Sequence, residues 1–229
     1  MHKKQNNIIK KDLVLLGAGH SNIEVIRFLG KKKINGLRIT LITNNYYATY
    51  SGMVPGYIEG IYEWNDINID LIELTYQNNI RIIIGEVVKI LGKKKKIFIK
   101  NRPPLEFDIL SVNLGIKSAN SHIPGSKKNA LFLKPVSLIK KTIDNILNSK
   151  SKDIVLVGAG AAGVEVILAL SKRFKNLNIQ KNLILISKNS TIMKTYKSSI
   201  SEALKEELIK NNIKFIYDGK VTKITKNYL

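Results

Sequence analysis

Apolar residues fall along this chain in two rhythms. Short, nearly continuous apolar runs alternate with longer segments in which apolar side chains recur every three or four positions. The run Ile8–Leu16 predicts a buried strand, and apolar residues at 23, 26 and 29 predict a helix over 22–29. Gly30 can end that helix in the left-handed conformation. Another apolar run over 37–43 predicts the next strand, so the chain opens as strand, loop, helix, strand. Residues 44–64 break the rhythm. They hold aromatics together with Gly52, Pro55, Gly56 and Gly60, a composition that predicts an irregular functional loop. A helix is predicted at about 70–77, a strand over 81–87, and short strands on either side of Pro103-Pro104. Residues 116–130 read as a linker, and 135–149 as an amphipathic helix with Pro135 in its first turn. From residue 154 the opening pattern returns: strand 154–157, helix 161–174, strand 183–187, helix 199–212, strand 214–218.

The repeated unit carries one kind of loop twice. Residues 13–22 read "LVLLGAGHSN", and residues 154–166 read "IVLVGAGAAGVEV". A turn of this type between a strand and a helix suits the diphosphate of a dinucleotide. Its first glycine allows the tight turn, its second lets backbone approach the ligand, and its third lets the helix lie against the strand. The helix N-terminus then faces the diphosphate with free N–H groups. Gly158, Gly160 and Gly163 meet all three demands. In the first loop Gly17 and Gly19 are kept, but Asn22 stands at the third position. Asparagine tolerates unusual backbone geometry, so this loop is expected to be retuned around a slightly displaced helix. At the end of the following strand, where a carboxylate often meets a ribose, the two units read Thr43-Asn44 and Ser187-Lys188. Asn44 can donate and accept toward a ribose. Lys188 with Ser187 suits a 2′-phosphate, which leaves NADPH as open as NADH. The fold class expected is α/β: two Rossmann-like three-layer domains, over 8–118 and 134–229, joined by a linker at 119–133.

Composition narrows the function. A chain of 229 residues can form one large domain or two modest ones, and its 44% apolar content suits a globular protein. No apolar run approaches the ~18 residues of a membrane helix, and the basic N-terminus lacks the apolar core of a signal peptide. A cytoplasmic protein is expected. There is no cysteine, which excludes disulfides, thiolate metal sites and Cys-x-x-Cys redox centres. With only His2, His20 and His122, no metal site is expected. The formal charge of +21 is carried by 33 Lys and 5 Arg, scattered along the chain. Base readout and bidentate phosphate contact favour Arg, so no nucleic-acid partner is expected. The densest run, Lys93–Lys96, predicts a solvated hairpin turn.

Taken together, the blocks "GAGHSNIEV" (17–25), "YSGMVPGYIEG" (50–60), "IDL" (69–71), "RPPLEFDILSVNLG" (102–115), "IPG" (123–125), "LKP" (133–135) and "GAGAAGVE" (158–165) resemble the pyridine nucleotide–disulfide oxidoreductase superfamily. Within it they resemble FAD-dependent NADH dehydrogenase-like proteins, found alone or fused in front of selenide, water dikinase. The resemblance implies FAD at the first loop and NAD(P)H, as co-substrate, at the second. Carried over, Gly17, Gly19, His20 and Asn22 belong to the FAD pyrophosphate loop, and Asn44 lies near its ribose. Ser51, Gly52 and Pro55 would pass the isoalloxazine, and Gly115 closes the returning strand. Gly158, Gly160, Gly163 and Ser187 would serve the nicotinamide nucleotide. Glu165 matches a position reaching toward the flavin–nicotinamide contact. Lys134 resembles a basic residue before the nicotinamide-domain helix of quinone-reducing relatives, and reads equally as a surface lysine. Glu165 and Lys134 are thus the candidate catalytic residues.

Without cysteine, hydride passed from NAD(P)H through the flavin has to reach a small non-disulfide acceptor, quinone-like or unknown. Peripheral membrane contact through the lysine-rich surface and a homodimer of the full-length protein are further partner expectations. The resemblance also implies a later Gly-Asp segment that completes the first domain, and an interface domain. Neither occurs before Leu229, so an N-terminal part of a longer protein, truncated at the C-terminus, is expected. Two alternatives stand beside this enzyme: the flavin module of a selenophosphate-synthesising fusion, and a non-catalytic nucleotide-binding module.

Overall fold

The computed structural model of the chain describes residues 8–32, 34–116 and 122–226. In chain order the elements begin with β1 (Lys11–Leu16), α1 (His20–Lys32), β2 (Leu37–Thr43), β3 (Tyr47–Thr49), α2 (Val54–Glu59), β4 (Asn68–Asp70), α3 (Leu71–Gln77) and β5 (Arg81–Ile84). They continue with β6 (Val87–Leu91), β7 (Lys96–Ile99), β8 (Leu105–Glu106), β9 (Ile109–Val112), α4 (Ser126–Asn129) and α5 (Ile139–Asn148). The last are β10 (Asp153–Val157), α6 (Ala161–Asn176), β11 (Asn182–Ile186), α7 (Ser198–Lys210) and β12 (Lys214–Ile216).

One compact unit comprises the described residues to Tyr50 together with Asn68–Ile116. Its sheet runs β5-β2-β1-β9, and every pairing in it is parallel. Successive side chains of a strand point to opposite faces, and the apolar run of β1 serves both. Leu13 and Leu15 pack with Ile23 and Ile26 of α1 and Leu71 of α3. Val14 and Leu16 pack with Ile97 and Ile99 of β7 and with Phe107. The second face is covered by the antiparallel meander β6-β7-β8. Three layers result: helices, parallel sheet, meander. Leu15, Ile26, Leu41 and Ile42 are completely buried, and each contributes about 1.5–3 kcal/mol through burial. The lysine run forms the exposed β6–β7 turn, as its composition predicts.

The other unit comprises Ser51–Ile67 together with residues 122–226. Its sheet, β10-β11-β12, is again parallel. Ile167, Leu170 and Phe174 of α6 pack with Leu185 of β11 and Ile143 of α5. The repeat seen in the sequence is therefore repeated in space: each unit holds a strand, a glycine loop and a helix, followed by a second strand parallel to the first.

Three readings of the sequence need adjustment. Residues 44–64 are not irregular: they hold β3, one 3₁₀ turn over Ser51–Met53, and α2. Pro55 sits in the first turn of α2, where its missing N–H costs nothing. Gly60, at φ 95°, ends that helix in the left-handed region. Second, the boundaries at 118 and 134 leave Ser51–Ile67 in the first domain, whereas Val54, Ile58 and Ile67 are buried in the core of the second unit. Lys172 of α6 also pairs with Glu59 of α2 at 2.8 Å. Third, part of the predicted linker is ordered as α4, while residues 117–121 lie outside the described residues, as does the basic segment 1–7. Among the described residues, no helix is long and apolar enough to cross a membrane.

Candidate dinucleotide-binding loops

The first loop is built on the backbone of its neighbours. Gly17, at φ 86°, donates its N–H to the Ile42 carbonyl at 2.8 Å, which ties the loop to the end of β2. Gly19 donates to the Asn113 carbonyl just beyond β9 at 3.2 Å. Ile23 then donates to the Gly19 carbonyl at 3.1 Å and starts α1. A Cβ on Gly17 would press on the Asn113 carbonyl, and one on Gly19 would overlap the Asn113 carboxamide. Gly17 is thus demanded by the backbone, whereas the space beside Gly19 is taken chiefly by the Asn113 side chain.

Asn22 resolves the altered third position. It is 0% exposed. Its Nδ2 donates to the Gly17 carbonyl at 2.7 Å and to the Leu16 carbonyl at 3.3 Å. Its Oδ1 accepts from the Ser111 hydroxyl of β9 at 2.7 Å. The side chain is saturated by protein, so Asn22 positions the loop and is not itself exposed to a ligand. This refines its place among the cofactor-binding candidates.

The second loop repeats the plan. Gly158, at φ 116°, donates to the Ile186 carbonyl at 2.8 Å, and Val164 donates to the Gly160 carbonyl at 3.1 Å. Gly160 is the N-cap of α6, and no side chain caps that helix. Its first N–H groups face outward with the positive end of the helix dipole, an arrangement that suits an anion. Space beside the α-carbons of Gly158 and Gly160 is open. Gly163 is different: a Cβ there would overlap the Gly158 carbonyl. Helix and strand are as close as the third glycine of such a loop allows.

The strand ends also match each other. The buried Thr43 hydroxyl accepts from the Asn45 N–H at 3.2 Å, and the buried Ser187 hydroxyl accepts from the Asn189 N–H at 3.0 Å. Both hydroxyls close local turns. Ser187 is buried in its turn, and the groups exposed at the two strand ends are Asn44 and Lys188. Asn44 accepts from the Asn45 side-chain amide at 2.9 Å.

The chain from residue 11 to residue 228 matches the sequence model of the pyridine nucleotide-disulphide oxidoreductases. It belongs to that family. The NADH dehydrogenase-like protein YutJ of Bacillus subtilis is 23% identical over 216 residues, which cover 93% of this chain and 59% of that protein. A type II NADH:quinone oxidoreductase of Staphylococcus epidermidis is 28% identical over 181 residues, covering 73% of this chain and 45% of that one. The solved structure of NDH2 from Plasmodium falciparum in complex with NADH has a TM-score of 0.83 and 21% identity, covering 95% of this chain and 50% of that one. The chain thus spans about half the length of the relatives it matches.

For a member of this family, the remaining candidates fall as follows. His20 opens α1, and its exposed ring packs on Tyr50 with centroids 4.5 Å apart. Tyr50 enters the sequence reading only as the first residue of the block 50–60 and is given no role there. Gly115 is exposed and nothing crowds its α-carbon, so packing does not require glycine there. Ser51, Gly52 and Pro55 belong to the second unit, with Ser51 and Gly52 exposed on the 3₁₀ turn. Glu165 is exposed on α6 and pairs with no cation among the described residues. Lys134 is half-buried before Pro135 and pairs with no carboxylate among the described residues. The structure thus gathers Gly17, Gly19, His20 and Asn22 at one loop, and Gly158, Gly160, Gly163 and Ser187 at the other.

Proposed function

We propose that the protein is an FAD-dependent NAD(P)H oxidoreductase that passes hydride to a quinone-type, non-disulfide acceptor. The observation that carries this reading is the pair of glycine turns. Each is tied to its sister strand by the N–H of its first glycine, and each leads straight into a helix. The family supplies the roles: FAD at the Gly17 loop and NAD(P)H at the Gly158 loop.

The residues fit the groups they would hold. Left-handed Gly17 and side-chain-free Gly19 let backbone approach a diphosphate, and α1 begins at once behind them. Gly158 and Gly160 offer the same approach before α6, whose N-terminus favours negative charge by about 0.3–1 kcal/mol at an exposed site. Asn44 takes the ribose at the first loop. Lys188 takes a ribose or a 2′-phosphate at the second. Glu165, exposed and joined to no cation among the described residues, orients the nicotinamide end, and Lys134 supplies positive charge for a reducible acceptor. Bound FAD would supply the two-electron chemistry, and the side chains would bind, orient and exclude water around it. None of these 229 residues is a cysteine, so none can take hydride as a disulfide.

The test is anaerobic titration of the FAD-loaded protein with NADH and then NADPH, following the visible absorbance of the oxidised flavin. Bleaching by at least one nucleotide, reversed by a soluble quinone, supports the reading. Failure of both nucleotides to bleach the flavin overturns it.

A further inference from the structure

We infer that the Asn113 carboxamide is a further ligand-contacting group of the first loop, one that accepts a hydrogen bond from a hydroxyl of the bound dinucleotide. The inference rests on the reading of that loop as the FAD cradle. Asn113 directly follows β9, and its backbone is tied on both sides. Its N–H donates to the Leu16 carbonyl at 2.9 Å, and its carbonyl accepts from Gly19 N–H at 3.2 Å. Two residues earlier, Ser111 is held by Asn22. The base of the side chain is therefore fixed beside the turn.

The carboxamide itself is not satisfied. Oδ1 fills the space that a Cβ on Gly19 would need. It is buried, and no donor among the described residues reaches it. A buried acceptor without a donor destabilises the folded chain, and such atoms are rare in native proteins. A diphosphate has no hydrogen to give this oxygen, whereas ribose and ribityl hydroxyls do. Asn113 as a whole is only half-buried, so rotation about its own side-chain bonds brings the amide to an arriving hydroxyl. Its backbone ties to Leu16 and Gly19 stay in place. The sequence gives no hint of this, because asparagine after a strand reads as an ordinary turn residue.

The test compares Asn113→Ala and Asn113→Asp with the wild-type full chain, measuring FAD affinity by fluorescence and the melting temperature with and without FAD. Asn113→Ala should weaken FAD about tenfold, the value of one hydrogen bond. It should leave the melting temperature of the FAD-free protein unchanged or raised, because an unsatisfied acceptor has been removed. Asn113→Asp keeps an acceptor but sets a negative charge beside the diphosphate, so its loss of affinity should shrink as ionic strength rises, whereas that of Asn113→Ala should not. The inference falls if Asn113→Ala binds FAD as wild type does. It falls equally if that variant melts earlier without FAD, which is the mark of a structural role. Loss of affinity in Asn113→Asp that exceeds that of Asn113→Ala and is undiminished at high ionic strength also overturns it, since the amide would then be donating to the ligand. A wild-type chain that takes up no FAD overturns the underlying reading instead.

Discussion

Replacing Asn22 by glycine would complete the three-glycine sequence of the first loop, and it should damage the protein. The side chain is completely buried, bonds two carbonyls and accepts from the Ser111 hydroxyl at 2.7 Å. Truncation to alanine leaves the Gly17 carbonyl and the Ser111 hydroxyl without partners. Each unsatisfied buried group costs about 1–3 kcal/mol. The Ser111 hydroxyl can rotate toward other acceptors, so about 2–4 kcal/mol is expected for Asn22→Ala. Asn22→Gly adds up to about 1 kcal/mol more, because the position lies within α1. Ser111→Ala alone should cost about 1–2 kcal/mol. Combined with Asn22→Ala it should cost less than the sum, by about 1 kcal/mol, because both remove the same bond. Urea unfolding of the wild type and the four variants, followed by circular dichroism, measures each difference. Wild-type stability in Asn22→Gly, or strict additivity in the double mutant, would refute the account.

Four further outcomes concern the second loop and the surface. Gly160→Ala puts a methyl into open space, so it should leave stability within about 0.5 kcal/mol and weaken NAD(P)H binding. Gly163→Ala drives a methyl into the Gly158 carbonyl and should destabilise by about 1–3 kcal/mol; equal stability losses in the two variants would contradict the geometry. Lys188→Glu should lower kcat/KM for NADPH about tenfold or more, the value of a charge-assisted hydrogen bond, while changing NADH less. An equal fall for both nucleotides would remove Lys188 from 2′-phosphate contact. The exposed Lys89, Lys93, Lys94 and Lys95 join no ion pair among the described residues and flank the exposed Val88 and Ile90. A Lys93→Glu, Lys94→Glu, Lys95→Glu protein should bind anionic phospholipid vesicles at least tenfold less than wild type, at about 1 kcal/mol per lysine. Binding that is unchanged, or insensitive to salt, would exclude this hairpin as the contact.

What the sequence makes legible here is local. The apolar runs of β1, β2, β10 and β11 are all strands, deeply buried in β1 and β2, partly in β11 and only half-buried in β10. Gly17 and Gly158 take left-handed turns, and the lysine run caps a hairpin. The rest depends on partners far along the chain. Ser111 lies 89 residues from the amide it holds. Val54 and Ile58 carry an ordinary apolar signal that cannot say which of two cores receives them. They join the core that contains Ile167 and Leu170. Ser187 offers a hydroxyl in the right place for a nucleotide, yet that hydroxyl is used by Asn189 two residues on. Such a turn is a local possibility in any Ser-x-Asn stretch, but only the folded chain decides it.

The two loops solve one problem in two ways, and the solutions are not interchangeable. After the turn, the carbonyl of the first glycine points at the incoming helix. At Gly158 the helix lies so close that only glycine fits at 163. At Gly17 an amide hydrogen of Asn22 reaches the same carbonyl at 2.7 Å. Asparagine suits the place because its nitrogen donates to two carbonyls while its oxygen accepts from Ser111. Aspartate has nearly the same shape and reverses the sign. Asn22→Asp would aim a buried carboxylate at the Leu16 and Gly17 carbonyls, and both desolvation and those dipoles raise its pKa. Protonated, the introduced carboxyl can donate one bond; ionised, it can donate none. Because the folded-state pKa lies above the unfolded value, the stability of this variant is retained at low pH and lost as pH rises through the folded-state pKa. The stability gap between wild type and Asn22→Asp should therefore widen from pH 5 to pH 8 in urea unfolding, while the gap for Asn22→Ala stays constant. A gap for Asn22→Asp that does not change with pH would mean that the introduced oxygen has turned away from both carbonyls, and that the amide donor is not what closes the first loop.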